Sequence, residues 1–458
     1  MEKNLLTLTE PIKTLLDEKK YATLKDILET MNPVDIAELF DDLQDEKTPI
    51  LFRLLPKELA ADTFVEMDED TQELLIHGFS DSELKEVVDE LFVDDAVDII
   101  EEMPANVVKR ILRQADPVTR KSINELLKYP DDSAGSIMTT EFISLRPAMT
   151  VEEAIKRIRR TGVDKETIYT CYVTDELNRL IGIMTVKTLL LSDENECVSE
   201  LMEDNVISVN TLDDQEEVAQ LFSKYNLLAM PVVDTENRLV GIVTIDDAMD
   251  VLEEEVTEDI EKMAAVMPSD KPYMRTSVLG LCKKRIPWLL VLMVSATFTG
   301  AIITSFESAL AANIALSAFI PMLMDTGGNA GSQASVSIIR AISLGEVAFK
   351  DLFKVMWKEL RVAVICGLIL ACANFVKIML LDFYGTPFEQ AFPVASVVCL
   401  TMVAAVIIAK LIGCFLPLLA NKIGFDPAVM ASPLITTIVD ALSLLVYFQF
   451  ATMILSTM

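Results

Sequence analysis

The sequence predicts a multidomain membrane protein in which an all-α N-terminal helical array and an α/β domain pair precede an α-helical domain with five membrane spans. The chain has 458 residues, of which 51% are hydrophobic, and yet it carries a net charge of -32. Residues 271–458 contain 13 Lys+Arg against 9 Asp+Glu, whereas residues 1–270 contain 26 against 62. An acidic soluble part therefore precedes an apolar membrane part. The apolar content excludes intrinsic disorder, and the acidic soluble part argues against nucleic acid as a partner.

Five apolar segments in the C-terminal part are long enough to cross a bilayer, which needs about 20 residues of helix. They are residues 286–306, 310–344, 360–381, 392–419 and 427–455. Basic residues precede the first segment and fill the second connection, whereas the first and third connections carry only acidic charges. The positive-inside rule therefore predicts a cytoplasmic N-terminal part and, after five crossings, a C-terminus outside the cell.

The last apolar segment carries a polar stripe. Ser432, Thr436, Asp440 and Ser443 follow one another at helical spacing and share one face. A stripe of small hydroxyl residues is typical of close helix packing, but an ionised carboxylate inside a membrane costs about 2.5 to 3.5 kcal/mol on insertion scales. We therefore expect Asp440 to face the bundle interior, water or a cation.

The second apolar segment contains a glycine-rich stretch at residues 321–333. Asp325, Asn329 and Gln333 recur at every fourth position, and Gly328 is one of three glycines among them. Glycine permits non-helical backbone that exposes carbonyl oxygens, which together with carboxylates are the ligands that Mg2+ or Ca2+ requires. We expect a break in the helix that lines an ion path, and the alternative is close helix packing through small residues.

Residues 137–198 and 199–252 are two copies of one pattern, at an offset of 64 in their first halves and 59 in their second. Five extra residues at 162–166 account for the change of offset. In each copy the residue pattern predicts an extended segment and an amphipathic helix, followed by two short strands around an Asn-Arg turn and a second helix. The strand ends at 182–185 and 241–244 resemble those of CBS domains, which often bind adenine nucleotides. The first copy lacks the Asp that often binds ribose there, and the second keeps Asp246, so ATP stays open as a ligand.

Acidic residues dominate the soluble part. Residues 1–130 predict a helical array, and residues 246–261 place nine carboxylates on the helix that leads toward the first membrane span. Like charges four residues apart cost about 0.2 to 0.5 kcal/mol per pair, which opposes an ordered helix unless cations gather. The pattern indicates divalent-ion binding, and the alternative is a solvated acidic face.

Taken in order, these features resemble the MgtE family of magnesium channels and transporters. The most specific motifs are residues 321–334 and 425–440. The resemblance implies a homodimer with an ion path along the subunit interface, with Asp440 as its pore carboxylate and Asp426 in a cytosol-side Asp-Pro-Ala motif. It also implies regulatory Mg2+ ligands on the connecting helix, in the second CBS copy and in the N-terminal array. These would be Asp247, Asp250, Glu255, Glu258, Asp259, Glu216, Asp94, Asp95 and Asp98.

The predicted domains are residues 1–130, the CBS pair 131–252, the acidic connecting helix 253–283 and the membrane domain 284–458. The predicted function is Mg2+ uptake across the plasma membrane, gated by cytosolic Mg2+. His77 is the only histidine, which argues against a His-based hydrolase or a zinc site. The predicted transport involves no chemical step, so we predict no enzyme activity. The alternatives are a membrane-anchored nucleotide or charge sensor without transport, and a CBS-regulated carrier of another solute.

Overall fold

The computed structural model describes residues 2–43, 47–269, 273–274, 276–384, 387–430 and 432–455. The chain forms two compact units, Met1–Leu252 and Glu253–Met458. Each unit is described by itself below.

The first unit begins with an array of short helices. They are α1 Glu2–Asp17, α2 Tyr21–Leu28, α3 Pro33–Leu43, α4 Thr48–Phe52, α5 Lys57–Val65, α6 Glu69–Gly78, α7 Asp81–Val88, α8 Val93–Glu102, α9 Ala105–Gln114 and α10 Pro117–Leu126. Local signals set their ends: Ser80 and Glu83 form a capping box before α7, and the Asp116 side chain caps α10. Phe40 and Phe64 are among the largest side chains buried in the common core.

The second half of this unit consists of two similar α/β modules. Its elements are β1 Ser144–Leu145, α11 Val151–Thr161, β2 Thr170–Thr174, β3 Leu180–Thr185, α12 Val186–Leu191, α13 Val198–Leu201, β4 Val209–Asn210, α14 Gln215–Tyr225, β5 Ala229–Val233 and β6 Leu239–Thr244. Each module has a three-stranded sheet in which the first strand is parallel and the third antiparallel to the middle strand. The predicted order of elements is confirmed.

The two modules exchange backbone hydrogen bonds. Thr139, before the first module, pairs with Ile242 of the second, and Ile183 of the first pairs with Glu203. Gly241 is required at the first of these bridges, because a Cβ there would lie 2.7 Å from the Thr139 carbonyl oxygen. Backbone hydrogen bonds therefore link the two modules at two points.

The second unit contains the membrane helices. Helix α15 Ile245–Met263 begins in the first unit and ends here, and it is followed by α16 Val278–Ser305, α17 Glu307–Ala312, α18 Ala315–Ser343, α19 Leu352–Lys377, α20 Phe388–Lys422 and α21 Ser432–Leu455. Four helical stretches in the described part are long and apolar enough to cross a membrane: Val278–Ser305, Phe349–Asp382, Phe388–Lys422 and Pro427–Ile454. Helix α18, with 29 residues, spans about 43 Å and is also long enough, but polar residues interrupt its apolar sequence.

Helix α18 corrects one expectation. The predicted break at the glycines is absent, because Ala315–Ser343 is one continuous α-helix. Its glycines serve close packing instead: a Cβ at Gly328 would overlap the Thr436 side chain, and a Cβ at Gly413 on α20 would overlap the Gly331 carbonyl oxygen. The alternative that the sequence left open, packing through small residues, is the one the structure adopts.

Candidate ion path and acidic clusters

Helix α21 places Asp440 against α18. The side chain is half-buried, and its Oδ1 atom is buried without a hydrogen-bond partner in the described part of the chain. That oxygen lies 3.8 Å from the point where a Cβ on Gly328 would stand. This is an ordinary contact distance, so the carboxylate lies beside Gly328 without itself requiring a glycine there. Thr436, one turn before Asp440, packs on the same glycine, whereas the side chain of Ser432 lies outside the described residues.

Helix α18 presents a polar stripe beside this carboxylate. Asp325, Asn329 and Gln333 are all exposed, and Asn329 Nδ2 donates a hydrogen bond of 3.1 Å to Asp325 Oδ1. Asp325 and Asn329 lie within one turn of Gly328, the glycine beside Asp440, so the stripe and the α21 carboxylate are close. An exposed carboxylate on a membrane helix is costly against hydrocarbon, so this face must meet water or protein.

A second concentration of charge lies in the first unit. We call it the buried acidic cluster, and its members are Asp94, Asp95, Asp98, Glu141, Glu166, Asp246 and Asp247. They come from helix α8, from the segment before β1, from the five-residue insertion that follows α11, and from the start of α15. Glu141 Oε2 accepts a hydrogen bond of 3.2 Å from the Val93 backbone N–H, which holds the two segments together.

Burial and mutual repulsion raise the pKa values in this cluster. Burial, followed by the charge of Asp94, raises the pKa of Asp95 to about 8. Burial and the same aspartate raise the pKa of Glu166 to about 8. Burial raises the pKa of Asp247 to about 7 and that of Asp94 to about 6, against the hydrogen bonds that lower both. Asp98 follows the same pattern with a pKa of about 8, but its side chain is solvent-exposed, so water screens its charge most.

The buried acidic cluster fits a hydrated divalent cation. Asp94 is only 6% exposed, and within the described part of the chain neither its Oδ1 nor the buried Glu166 Oε2 has a hydrogen-bond partner. The largest charge effects that raise these pKa values come from other carboxylates. Among the described residues no three acidic, His or Cys side chains converge to hold a metal directly. Mg2+ commonly keeps several waters and uses one or two carboxylates, so the donor set suits it.

Three further predicted ligands, Asp250, Glu216 and Glu255, lie on α14 and α15. Burial and then the charge of Asp250 raise the pKa of Glu66. Glu216 opens α14, where its Oε1 accepts a hydrogen bond of 3.1 Å from Gln220 Nε2. Glu255 is half-buried on α15.

The end of α15 forms a third group in the second unit. We call it the membrane-side cluster, and it consists of Glu258, Asp259, Lys262 and Asp426. Lys262 Nζ lies 2.6 Å from Glu258 Oε1 and 2.7 Å from Asp426 Oδ2. Burial and then the charge of Asp426 raise the pKa of Asp259, whose Oδ2 accepts a hydrogen bond of 3.5 Å from Ser343 Oγ at the end of α18.

Sequence reasoning missed Glu141, Glu166 and Lys262 of the two clusters as site residues, and also Glu66 near Asp250. The five-residue insertion that carries Glu166 was the available signal, because an insertion into one copy of a repeat marks a local difference in role. Lys262 was visible as the first basic residue after the acidic run, but its partner Asp426 is far away in sequence.

Comparisons with known proteins bear on both units. The intracellular N domain of MgtE matches residues 31–132, CBS domains match 134–194 and 198–254, and the MgtE divalent cation transporter domain matches 320–450. The magnesium transporter MgtE of Thermus thermophilus is 36% identical over 448 residues, which cover 97% of this chain and 98% of that protein. The chain belongs to the MgtE family. The magnesium transporter MgtE of Bacillus subtilis is 32% identical over 439 residues, which cover 96% of this chain and 95% of that protein.

Among solved structures, the MgtE chain resembles the cytosolic domain of the Mg2+ channel MgtE in complex with ATP. The two are 37% identical with a TM-score of 0.51, and the match covers 53% of this chain and 99% of that one. The family resemblance and the fold class are thereby confirmed: the chain is a multidomain membrane protein with a soluble N-terminal part. The MgtE family is one of transporters, not of enzymes.

Proposed function

We propose that this MgtE chain conducts Mg2+ along a path lined by Asp440 and the polar stripe of α18. The observation that carries the proposal is a carboxylate on a membrane helix whose buried oxygen has no described partner and which adjoins an exposed row of Asp325, Asn329 and Gln333. Such groups inside a membrane mark ion pathways, since lipid gives them no compensation.

The path would carry a largely hydrated ion. Mg2+ loses its water reluctantly, so carboxylate, amide and hydroxyl groups would act mainly on its hydration shell. In a homodimer with the path at the subunit interface, two copies of Asp440 would present paired charge, and Thr436 and Ser432 would extend the polar surface. Gly328 contributes by leaving room for Thr436 of α21 rather than by exposing its own carbonyl. No step requires chemistry on a substrate, so no enzyme activity is part of the proposal.

The proposed setting is the plasma membrane, with the acidic part in the cytoplasm and the C-terminus outside. The basic residues that precede the apolar segments at 286–306 and 360–381 support this orientation. The lipid bilayer and a second copy of the chain are the proposed partners.

Regulation would use the two acidic clusters. At low cytosolic Mg2+ their carboxylates repel one another, and at high Mg2+ ions bind and stabilise a closed state that offers more oxygen ligands. The residues proposed to hold these ions are Asp94, Asp95, Asp98, Asp247, Asp250, Glu216, Glu255, Glu258, Asp259 and Asp426, joined by Glu141 and Glu166. We also propose that the CBS pair binds ATP, which the similarity to a solved domain in complex with ATP supports.

A carrier for anions has less support. Its candidate basic groups in the bundle are Arg340, Lys377 and Lys410. Two of them are engaged, because Lys410 Nζ lies 3.7 Å from Glu359 Oε2 and Lys377 Nζ lies 3.1 Å from Asp382 Oδ2. The polar stripe itself carries negative charge.

The test is Mg2+ flux into proteoliposomes that contain the full-length protein and an internal Mg2+ dye. We expect wild-type flux and a loss of at least about tenfold in Asp440→Ala, since the mutant removes the carboxylate from the path. Asp382→Asn, which changes a carboxylate paired with Lys377, is the matched control and should conduct normally. Equal flux in wild type and a folded Asp440→Ala would remove Asp440 from the path, and no flux in any variant at low Mg2+ would favour the sensor alternative.

A further inference from the structure

The membrane-side cluster already contains a cation of the protein's own. Lys262 Nζ contacts one oxygen of Glu258 and one of Asp426, at 2.6 and 2.7 Å. The other oxygen of Asp426, Oδ1, accepts a hydrogen bond of 2.7 Å from the Ala428 backbone N–H. Both oxygens of Asp426 are therefore engaged, one of them by an ammonium group.

Packing holds the ammonium in this position. Met263, the residue after Lys262, packs against Ile339 of α18 and Ala428. Beyond the helix, the Met267 backbone N–H donates to the Lys284 carbonyl oxygen at 3.1 Å. The Lys262 side chain is only 22% exposed. A lysine held at both its backbone and its ammonium loses less conformational entropy on pairing than a free surface lysine does.

The charge of the cluster is not balanced by this lysine. Glu258, Asp259 and Asp426 supply three negative charges against one positive, which leaves an excess of two. Burial and then the charge of Asp426 raise the pKa of Asp259, against the lowering effect of Lys262. A divalent cation would neutralise the excess, but Lys262 already contacts one oxygen of Glu258 and one of Asp426. An ammonium and a hydrated Mg2+ cannot both occupy that space.

We propose that Lys262 is an internal competitor of regulatory Mg2+ at Glu258 and Asp426, and that it sets the cytosolic Mg2+ concentration at which this site fills. The inference rests on the proposed function, in which Mg2+ at the acidic clusters closes the path. When Mg2+ is scarce, the Lys262 ammonium occupies the space between Glu258 and Asp426, and Mg2+ must displace it to bind. Competition of this kind raises the Mg2+ concentration needed for closure.

The test compares Lys262→Gln with wild type in the full-length protein in detergent. Hydrogen–deuterium exchange of the backbone amides at the end of α15 is followed as Mg2+ is added. Loss of a partly exposed ion pair is expected to lower the Mg2+ concentration at half-protection about fivefold. Lys354→Gln is the matched control, because Lys354 pairs with Asp351 at 3.0 Å on the same membrane unit. It should leave the midpoint within about twofold of wild type.

An unchanged or higher midpoint in Lys262→Gln would overturn the proposal and leave Lys262 as a structural clamp. If Lys262→Gln does not fold, Lys262→Arg decides instead. Arginine keeps the positive charge, and its planar guanidinium group can hydrogen-bond to both carboxylates. The Mg2+ concentration at half-protection should therefore rise about twofold in Lys262→Arg. A fall would contradict competition.

Flux separates this inference from the proposed function. In proteoliposomes the Mg2+ concentration that halves flux should fall by a similar factor in Lys262→Gln, with flux at low Mg2+ unchanged. Absence of wild-type flux would reject the proposed function, while the exchange midpoints would still decide whether Lys262 competes with Mg2+.

Discussion

The buried acidic cluster and the membrane-side cluster differ in how the repulsion between their carboxylates is reduced. In the first, carboxylates from four segments approach one another, and burial with repulsion raises the pKa of Asp95 and of Glu166 to about 8. In the second, Lys262 lies between Glu258 and Asp426. The first cluster depends on protons or external cations for its stability, whereas the second carries part of its own neutralisation. One protein can therefore contain two acidic sites with different thresholds for the same ion.

The largest expected effect on Mg2+ binding comes from placing a positive charge in the buried acidic cluster, as Lys262 does in the membrane-side cluster. Glu166→Lys removes one negative charge and adds a positive charge where Glu166 Oε2 is buried. We expect the Mg2+ concentration that protects the amides of α8 from hydrogen exchange to rise at least about tenfold, because the new ammonium replaces the ion. Exchange in chelator should slow for the same reason.

The control for this change is Glu176→Lys, which reverses an exposed charge in the turn between β2 and β3 of the same module. It should leave the α8 midpoint at the wild-type value. A wild-type midpoint in Glu166→Lys would show that Glu166 does not contribute to cation binding.

The second effect is on pH dependence. Asp94, Asp95, Glu166 and Asp247 of this cluster have pKa values raised above those of the unfolded chain, so the folded state holds more protons and its stability falls as pH rises through about 6 to 8. In chelator, the melting temperature of the first unit's transition should drop by about 5 °C between about pH 6 and pH 8.5. Saturating Mg2+ should remove most of the drop. If the melting temperature of the full-length protein in chelator does not change with pH, these carboxyl groups are ionised in the folded state and their charges are balanced by other groups.

The smallest effect is expected from Asp426→Asn in the membrane-side cluster. Lys262 keeps Glu258 as a partner at 2.6 Å, so only one partly exposed ion pair is lost. Such pairs contribute about 0.2 to 1 kcal/mol, and the melting temperature in chelator should fall by no more than about 4 °C. A fall of more than about 10 °C would mean that the Lys262–Asp426 pair behaves as a buried ion pair, in which removing one partner leaves the other charge buried and uncompensated.

Much of the fold followed from local patterns in the sequence. The change of offset from 64 to 59 located the insertion, and the structure has α11 and α14 at the first offset and β2 and β5 at the second. The Asn-Arg turns are present too, with Asn178 and Asn237 in the left-handed region at φ 60 and 61. These features depend on residues near one another in the chain, which is why periodicity and turn chemistry predict them.

The parts that failed depend on distant neighbours. The glycines of α18 suggested non-helical backbone, but whether glycine breaks a helix or admits a neighbour depends on Thr436 and Gly413, which are on other helices. The partner of Lys262 is Asp426, and no spacing rule connects them. Asp94 to Asp98 were assigned from family resemblance, whereas the approach of Glu141 and Glu166 to them required the folded chain.

The paired hydrogen bonds between Thr139 and Ile242, at 2.8 and 2.9 Å, close the CBS pair at its base. The chain enters the pair beside the residue from which it leaves toward α15. A mechanical load applied between the N-terminal array and α15 would therefore pull on these two hydrogen bonds and on strand β6, which contains Ile242. A ligand elsewhere in the CBS pair would leave this bridge in place, so the same two bonds would still carry the load.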